Sequence, residues 1–172
     1  MSLKGYIAKL EAIERATKLY PKRAGVIALG FIKDRFRAQN WIGDRTEPWP
    51  RQRYPFGSGT PGTKTGALRR SYRITRSTPE LVAIGTDKAQ AQALNEGLKI
   101  PITDRMRRFF WAKHYEAAEA GKSRDADYWR GMATTKKKYF RLPRLQHIGE
   151  SQYLTRKIER QITADFAKAL RT

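Results

Sequence analysis

Near the end of the chain, Leu154, Ile158, Ile162, Phe166 and Leu170 fall four residues apart, with Arg, Lys and Glu among the residues between them. A step of four keeps apolar side chains on one helical face, so the spacing predicts an amphipathic helix capped by Ser151. The beginning of the chain carries a similar period. Tyr6, Ile7, Leu10, Ile13 and Thr17 predict a helix over residues 4–20, which Pro21 should end or kink. Val26, Leu29 and Phe36, with Ile27 and Phe31 on a neighbouring stripe, predict a second helix over residues 22–40. The two make a helix pair or one long bent helix.

The period then breaks. Residues 41–61 hold Gly43, Pro48, Pro50, Pro55, Gly57, Gly59 and Pro61, too many breakers for regular structure. The same loop carries Trp41, Trp49, Tyr54 and Phe56. A loop of this length tends to be functional or flexible, and its rings suggest that parts of it are pinned on this chain or on a neighbour. Residues 62–66 form a Gly-flanked basic turn, and residues 67–70 can make a short helix. Strand-like alternation follows: Tyr72 and Ile74 against Arg73 and Thr75, then Val82 and Ile84 against Ala83 and Gly85, with Pro79 in the connection. This is a β-hairpin over residues 71–86.

Residues 89–96 read as a short helix closed by Gly97, and Thr103 can cap a further helix to residue 120, ended by Gly121. Residues 122–138 are polar and basic, closing on Lys136, Lys137 and Lys138, and predict an exposed, mobile segment. Residues 139–145 read as an edge strand interrupted at Pro143. The fold class is therefore α+β: an antiparallel sheet built on the hairpin at 71–86 with a third strand near 139–145, packed by N-terminal helices and the C-terminal helix. It forms one domain over residues 1–172, with a long loop at 41–61 and an inserted helical and basic arm at 100–138.

Composition adds a partner class rather than a fold. With 36 Lys and Arg against 16 Asp and Glu, the formal charge is +20. Such a field draws polyanions, so nucleic acid is a candidate partner beside acidic proteins and a merely solvated surface. A mean hydropathy of −0.72 leaves some segments as surface arms. The absence of cysteine excludes disulfides, thiolate catalysis and cysteine-held zinc, and suits a reducing compartment. The opening residues interleave charge with apolar side chains, unlike a secretory signal, and no apolar run approaches the roughly 18 residues of a membrane span. A soluble protein with no membrane partner is expected.

Candidate chemistry is thin. Gly57 and Gly62 have the separation of a phosphate-cradling loop, but Thr63 intrudes before Lys64 and no buried strand precedes them. His114, Tyr115 and Glu116 match the H-x-E of a zinc deaminase, which also needs cysteines that are lacking. Ser58 lacks the frame of a nucleophile elbow. No catalytic set, cofactor or metal site is expected. Two clusters mix cations with rings: Arg105, Arg107, Arg108, Phe109, Phe110 and Trp111, and Lys136, Lys137, Lys138, Tyr139, Phe140 and Arg141. They read as a nucleic-acid surface, as anchors on a neighbouring subunit, or as rings seated on this chain with cations reaching outward.

One resemblance orders these features. Trp49 and Arg51 in the loop, then Thr65, Gly66, Leu68 and Ser71, then the strand Val82, Ile84, Gly85 and Thr86, an alanine-rich run from Ala89 to Gly97, and Arg144 with Gly149 and Ser151 before the last helix follow a recognisable pattern. It resembles the virion morphogenesis, or tail completion, family of minor structural proteins from tailed bacteriophages and prophages. The match is in outline over the chain. It departs where Ala89, Gln90 and Ala91 replace a usual Tyr-Ala and where residues 100–138 read as an insertion. The resemblance implies a tail-terminator-like fold and a non-enzymatic assembly role in tail completion or head–tail joining. It implies phage head–tail or tail proteins as partners, and a homo-oligomeric ring in the virion, six subunits being one option, assembled in the bacterial cytoplasm. Subunit or partner contacts are then expected at Trp41, Trp49, Arg51, Tyr54, Phe56, Arg107, Arg108, Phe109, Phe110, Trp111, Lys136, Lys137 and Lys138. The alternative is a nucleic-acid-binding protein using its charge.

Overall fold

A computed structural model of the chain describes residues 3–51, 62, 63 and 65–171. The first helix, α1 (Leu3–Ala38), runs unbroken through Pro21. Its 36 residues span about 54 Å. Of the two expected alternatives, a helix pair broken at Pro21 or one long helix, the chain forms the single helix. Proline removes one backbone bond, and packing of the flanking turns on both sides outweighs that loss. Pro21 and Gly25 are buried while Val26 is exposed, so the inward stripe is carried by Gly25, Phe31, Ile32 and Phe36 rather than by Val26.

Residues 40–48 form a small hairpin, β1 (Asn40–Ile42) with β2 (Thr46–Pro48), where an irregular loop was expected. Gln39, at φ 54, reverses the chain out of α1. The predicted hairpin then appears as β3 (Arg73–Ser77) and β4 (Val82–Gly85), after a short helix α2 (Ala67–Ser71). Thr75 is the extra residue of a bulge between Ile74 and Arg76. Tyr72 and Ile74 face inward while Arg73 and Thr75 face out, as the alternation implied; β4 is half-covered along its whole length. Next come α3 (Gln90–Glu96), β5 (Leu98–Pro101), α4 (Asp104–Glu119), α5 (Ser123–Thr134), β6 (Tyr139–Leu142) and α6 (Gln152–Arg171). The architecture is α+β, with three separate two-stranded antiparallel sheets among the described residues. The expected third strand exists as β6, but it pairs with β5 instead of extending the hairpin.

The core lies where α1 meets the chain's crossing points. Phe36, 1% exposed, sits against Trp49 (ring centroids 5.4 Å), Tyr72 (6.2 Å) and His147 (4.8 Å). Leu68, Ile32, Ala91 and Leu145 complete the cluster. The Trp49 indole N–H donates to the Gln146 carbonyl at 2.8 Å. Helix α6 packs along α1, and the Arg23–Asp165 ion pair and the Phe31–Tyr153 ring contact give the two an antiparallel register. The stripe Leu154, Ile158, Ile162 and Phe166 is half-buried there, while Leu170 is exposed. Ser151 caps α6 as expected, accepting from Leu154 N–H at 3.1 Å while its hydroxyl donates to the Ile42 carbonyl at 2.6 Å.

The hairpin β3–β4 can rest on α1 because Gly25 has no side chain. A Cβ there would lie 2.8 Å from Val82 Cγ1 and 3.0 Å from Ile74 Cδ1. Gly25→Leu is expected to cost about 1–3 kcal/mol by overpacking, read as a lower urea midpoint; an unchanged midpoint would show that the hairpin does not seat there.

His147 is fully buried, with its ring nitrogens bonded on both sides. Nδ1–H donates to the Leu145 carbonyl at 2.7 Å, so Nε2 accepts from the Tyr72 hydroxyl at 2.7 Å. Burial holds the imidazole below its ordinary value of 6.5 and pushes Tyr72 up to about 12. The folded state thus keeps the ring neutral while the unfolded chain takes up a proton. Stability is full above pH 6.5, falls as pH drops below it, and levels off beneath the lowered folded value. Urea midpoints measured from pH 6.5 down to about 5 should decline in the wild type and decline less when Tyr72→Phe and His147→Phe are combined. Equal slopes in the two proteins would refute this role.

Candidate functional site

Residues 98–142 form a unit set apart from the core. Strands β5 and β6 pair with Leu98 opposite Leu142 and Pro101 opposite Tyr139. One further bond, Ile102 N–H to the Lys138 carbonyl at 3.0 Å, closes the ladder where the helices begin. The two strands are a stalk, and α4 and α5 are a helical hairpin carried on it.

Local chemistry explains each boundary. The Thr103 side chain accepts from Met106 N–H at 3.3 Å and starts α4. Gly121, at φ 67, ends it: Lys122 N–H bonds the Ala117 carbonyl and Gly121 N–H the Ala118 carbonyl. This doubly bonded left-handed stop needs glycine at its turning point. Residues 123–134 are therefore the helix α5, correcting the expectation of a mobile segment. Their polar side chains lie outside, and the small buried Ala126 and Ala133 let α5 lie close to α4.

The hairpin has its own small core. Phe110, 6% exposed, stacks on Trp129 at 5.9 Å and meets Phe140 of the stalk edge-on at 5.8 Å. Arg107 donates through Nη1 to the Ala133 and Thr135 carbonyls at 2.8 and 2.9 Å, satisfying the end of α5. The His114 Nδ1–H donates to the Ala126 carbonyl at 2.8 Å. His114 thus ties α4 to α5, and its H-x-E spacing follows from helix packing.

This sorts the expected contact residues. Trp41 and Trp49, 5% and 7% exposed, are spent inside the chain: Trp41 against Phe31, Trp49 against Phe36. Neither offers a ring to a neighbour, because the hairpin β1–β2 folds back on α1. Phe110 and Arg107 are likewise used internally. Phe109 (52% exposed) and Arg108 remain on the outer surface of α4, Trp111 is half-buried against Tyr115, and Lys136, Lys137 and Lys138 are exposed where α5 returns to the stalk. Arg51 is exposed. Tyr54, Phe56 and most of the glycine-rich loop at 57–65 lie outside the described residues.

Tyr115 and Tyr139 extend this surface, and the sequence reading did not select Tyr115 as a contact. Tyr115 is 59% exposed, and Tyr139 lies beneath Lys99 Nζ at 5.4 Å and near the Arg141 guanidinium at 6.0 Å. The signal was present at i,i+4 from Trp111, but an outward ring is not distinguishable from an inward one until α5 is in place. A second exposed feature is the free end of α1. Leu3, Tyr6, Ile7 and Leu10 line one stripe that is about half exposed or more. Asp165 of α6 stands beside Arg23, which leaves roughly the first three turns of α1 beyond the end of α6.

The residues of the family-like pattern, in contrast, are structural. Leu68 is buried, the Thr65 hydroxyl accepts from Ala67 N–H at 3.3 Å, and Gly66 turns at φ 67. The Ser71 hydroxyl donates to the Leu68 carbonyl and accepts from Thr86, tying the start of β3 to the end of β4. Val82 and Ile84 pack towards α1, and a Cβ on Gly85 would press on Thr75 at 3.2 Å. Gly97, at φ 77, passes so close to residues 142–144 that a Cβ would lie 3.0 Å from the Leu142 carbonyl, and Arg144 donates to the Asn95 carbonyl at 3.4 Å. No helix of the described residues is long and apolar enough to cross a membrane. Compared with protein-family models, curated proteins and solved structures, the chain matches none.

Arg107→Leu removes the donor for two carbonyls. It should loosen the last turn of α5 by about 1.5–3 kcal/mol, seen as faster amide exchange there with unchanged protection around Phe36. Uniform loss of protection would instead place the hairpin within the cooperative core.

Proposed function

We propose that the protein is a non-enzymatic assembly component that docks on other proteins through its helical hairpin, in phage tail completion or head–tail joining. The observation that carries this reading is the hairpin α4–α5 itself: a separately packed unit on a two-stranded stalk, with Arg108, Phe109 and Tyr115 outward. Rings and arginines on a protruding rigid element are what protein interfaces use as anchors. The phage assignment rests on the pattern from Trp49 to Ser151 described above, and the exposed stripe at Leu3, Tyr6, Ile7 and Leu10 offers a second contact for a ring of subunits.

A nucleic-acid-binding role is the second reading, favoured by the charge of +20. It ranks lower because Phe110 is buried and Trp129, stacked on it, is half-buried, so these two rings of the hairpin are used internally.

The geometry allows a clean excision. Residues 102–138 can be replaced by an Asn-Gly turn joining Pro101 to Tyr139, with Phe140→Thr to remove the ring that Phe110 covered. The shortened chain should keep its fold by circular dichroism and fail to complete infectious particles in a complementation assay. Completed particles would overturn the docking role. Tight, steeply salt-dependent duplex binding that vanishes on excision would favour the second reading.

A further inference from the structure

The turn between β1 and β2 and the first three turns of α6 enclose a cleft of about 390 Å³. Its walls include Asp44, Arg45, Thr46, Tyr153, Arg156 and Arg160. Three arginines and one aspartate therefore line the same hollow. Arg156 and Arg160 stand at i,i+4 on α6, where like charges repel. Among the described residues neither forms an ion pair with a carboxylate: Arg156 donates to Gln152 Oε1 at 3.4 Å and Arg160 to the Arg156 backbone carbonyl at 3.3 Å. Arg45 has a long contact with Glu47 at 3.5 Å.

The two walls are held in place. The Ser151 hydroxyl bonds the Ile42 carbonyl, so the residue that caps α6 also anchors the strand leading into the turn. Tyr153 is fixed against Phe31 at 6.0 Å. The arginines thus come from pinned backbone on both sides, and a bound anion would relieve the repulsion between Arg156 and Arg160.

We propose that this cleft is a phosphate-binding site. The arginines come from two different elements, Arg45 from the β1–β2 turn and Arg156 and Arg160 from α6, and the oxygens of a tetrahedral phosphate can accept from several such donors at once. Thr46, whose side chain carries a neutral hydroxyl donor, also lines the cleft. The ligand is a phosphate group, carried either by a free polyphosphate compound or by a nucleic-acid backbone. The cleft is formed by residues 42–46 and 152–160, outside the α4–α5 hairpin, and the inference does not depend on the assembly role.

Calorimetric titration of the full chain at about 0.15 M salt tests it, with pyrophosphate and a short duplex DNA as probes. Arg156→Gln with Arg160→Gln should weaken binding by about tenfold or more. Lys136→Gln with Lys137→Gln removes the same charge elsewhere and should change it by less than about twofold. If the duplex binds tighter and both probes are lost in the arginine variant, the source is nucleic acid; if pyrophosphate binds tighter, it is a free phosphate compound. Equal weakening in the arginine and lysine variants would mean diffuse attraction and overturn the site. So would absence of wild-type binding to either probe, or a poly-glutamate peptide displacing pyrophosphate at equal charge. Unchanged thermal unfolding of both variants keeps the comparison valid, since all four side chains are exposed.

Discussion

The contact of Phe36 with Trp49, Tyr72 and His147 is the junction on which the rest of the fold hangs. Four distant pieces of chain meet there: the end of α1, the residue following β2, the entry to β3, and the segment leading to α6. Most of the surrounding surface is apolar, so two polar groups inside it must satisfy each other. The Tyr72 hydroxyl and the His147 imidazole do so, and the Leu145 carbonyl fixes which ring nitrogen carries the proton. Asn95 then reaches in from α3, accepting from the N–H groups of His147 and Ile148 at 3.0 and 2.9 Å. A buried polar pair with every group bonded gives this core one arrangement, because any slip would leave a desolvated donor or acceptor unpaired.

Once that junction is set, the chain separates into two kinds of structure. Helices α1 and α6, with the hairpin β3–β4, make the body. The α4–α5 hairpin is built beside it, with its own ring stack and its own capping bonds. The link between them is a pair of four-residue strands. Little energy depends on how the hairpin meets the body, so its surface is free to be shaped by a partner. The basic residues follow a similar division: Arg107 closes a helix, Arg45, Arg156 and Arg160 gather at a cleft, and Lys136, Lys137 and Lys138 remain in solvent.

Much of this was legible beforehand where local chemistry decides. The cap at Thr103, the stops at Gly97 and Gly121, the cap at Ser151 and the break at Pro143 all lie where single residues impose a backbone conformation. The candidate site was read less well. Phe109 and Phe110 are adjacent in one helix and equally apolar, yet Phe110 is buried and Phe109 half open. Which one turns inward depends on Trp129 and Phe140, 19 and 30 positions away, and no local period reports that. For Trp41 and Trp49 the sequence left open pinning on this chain or on a neighbour, because the breakers around them resembled a loop; α1 behind them decides for this chain.

By itself the sequence determined the bounds of α3, α4 and α6, the antiparallel hairpin β3–β4, and the strong excess of positive charge. These follow from backbone sterics, side-chain period and charge, which act within a few residues. Tertiary structure alone decided that Pro21 sits inside one continuous helix, that β6 answers β5 rather than β3–β4, and that the polar stretch after Gly121 folds back as α5. Each of these is a choice among partners of similar local propensity, and the choice falls to whichever packing buries the most apolar surface while leaving no polar group unbonded.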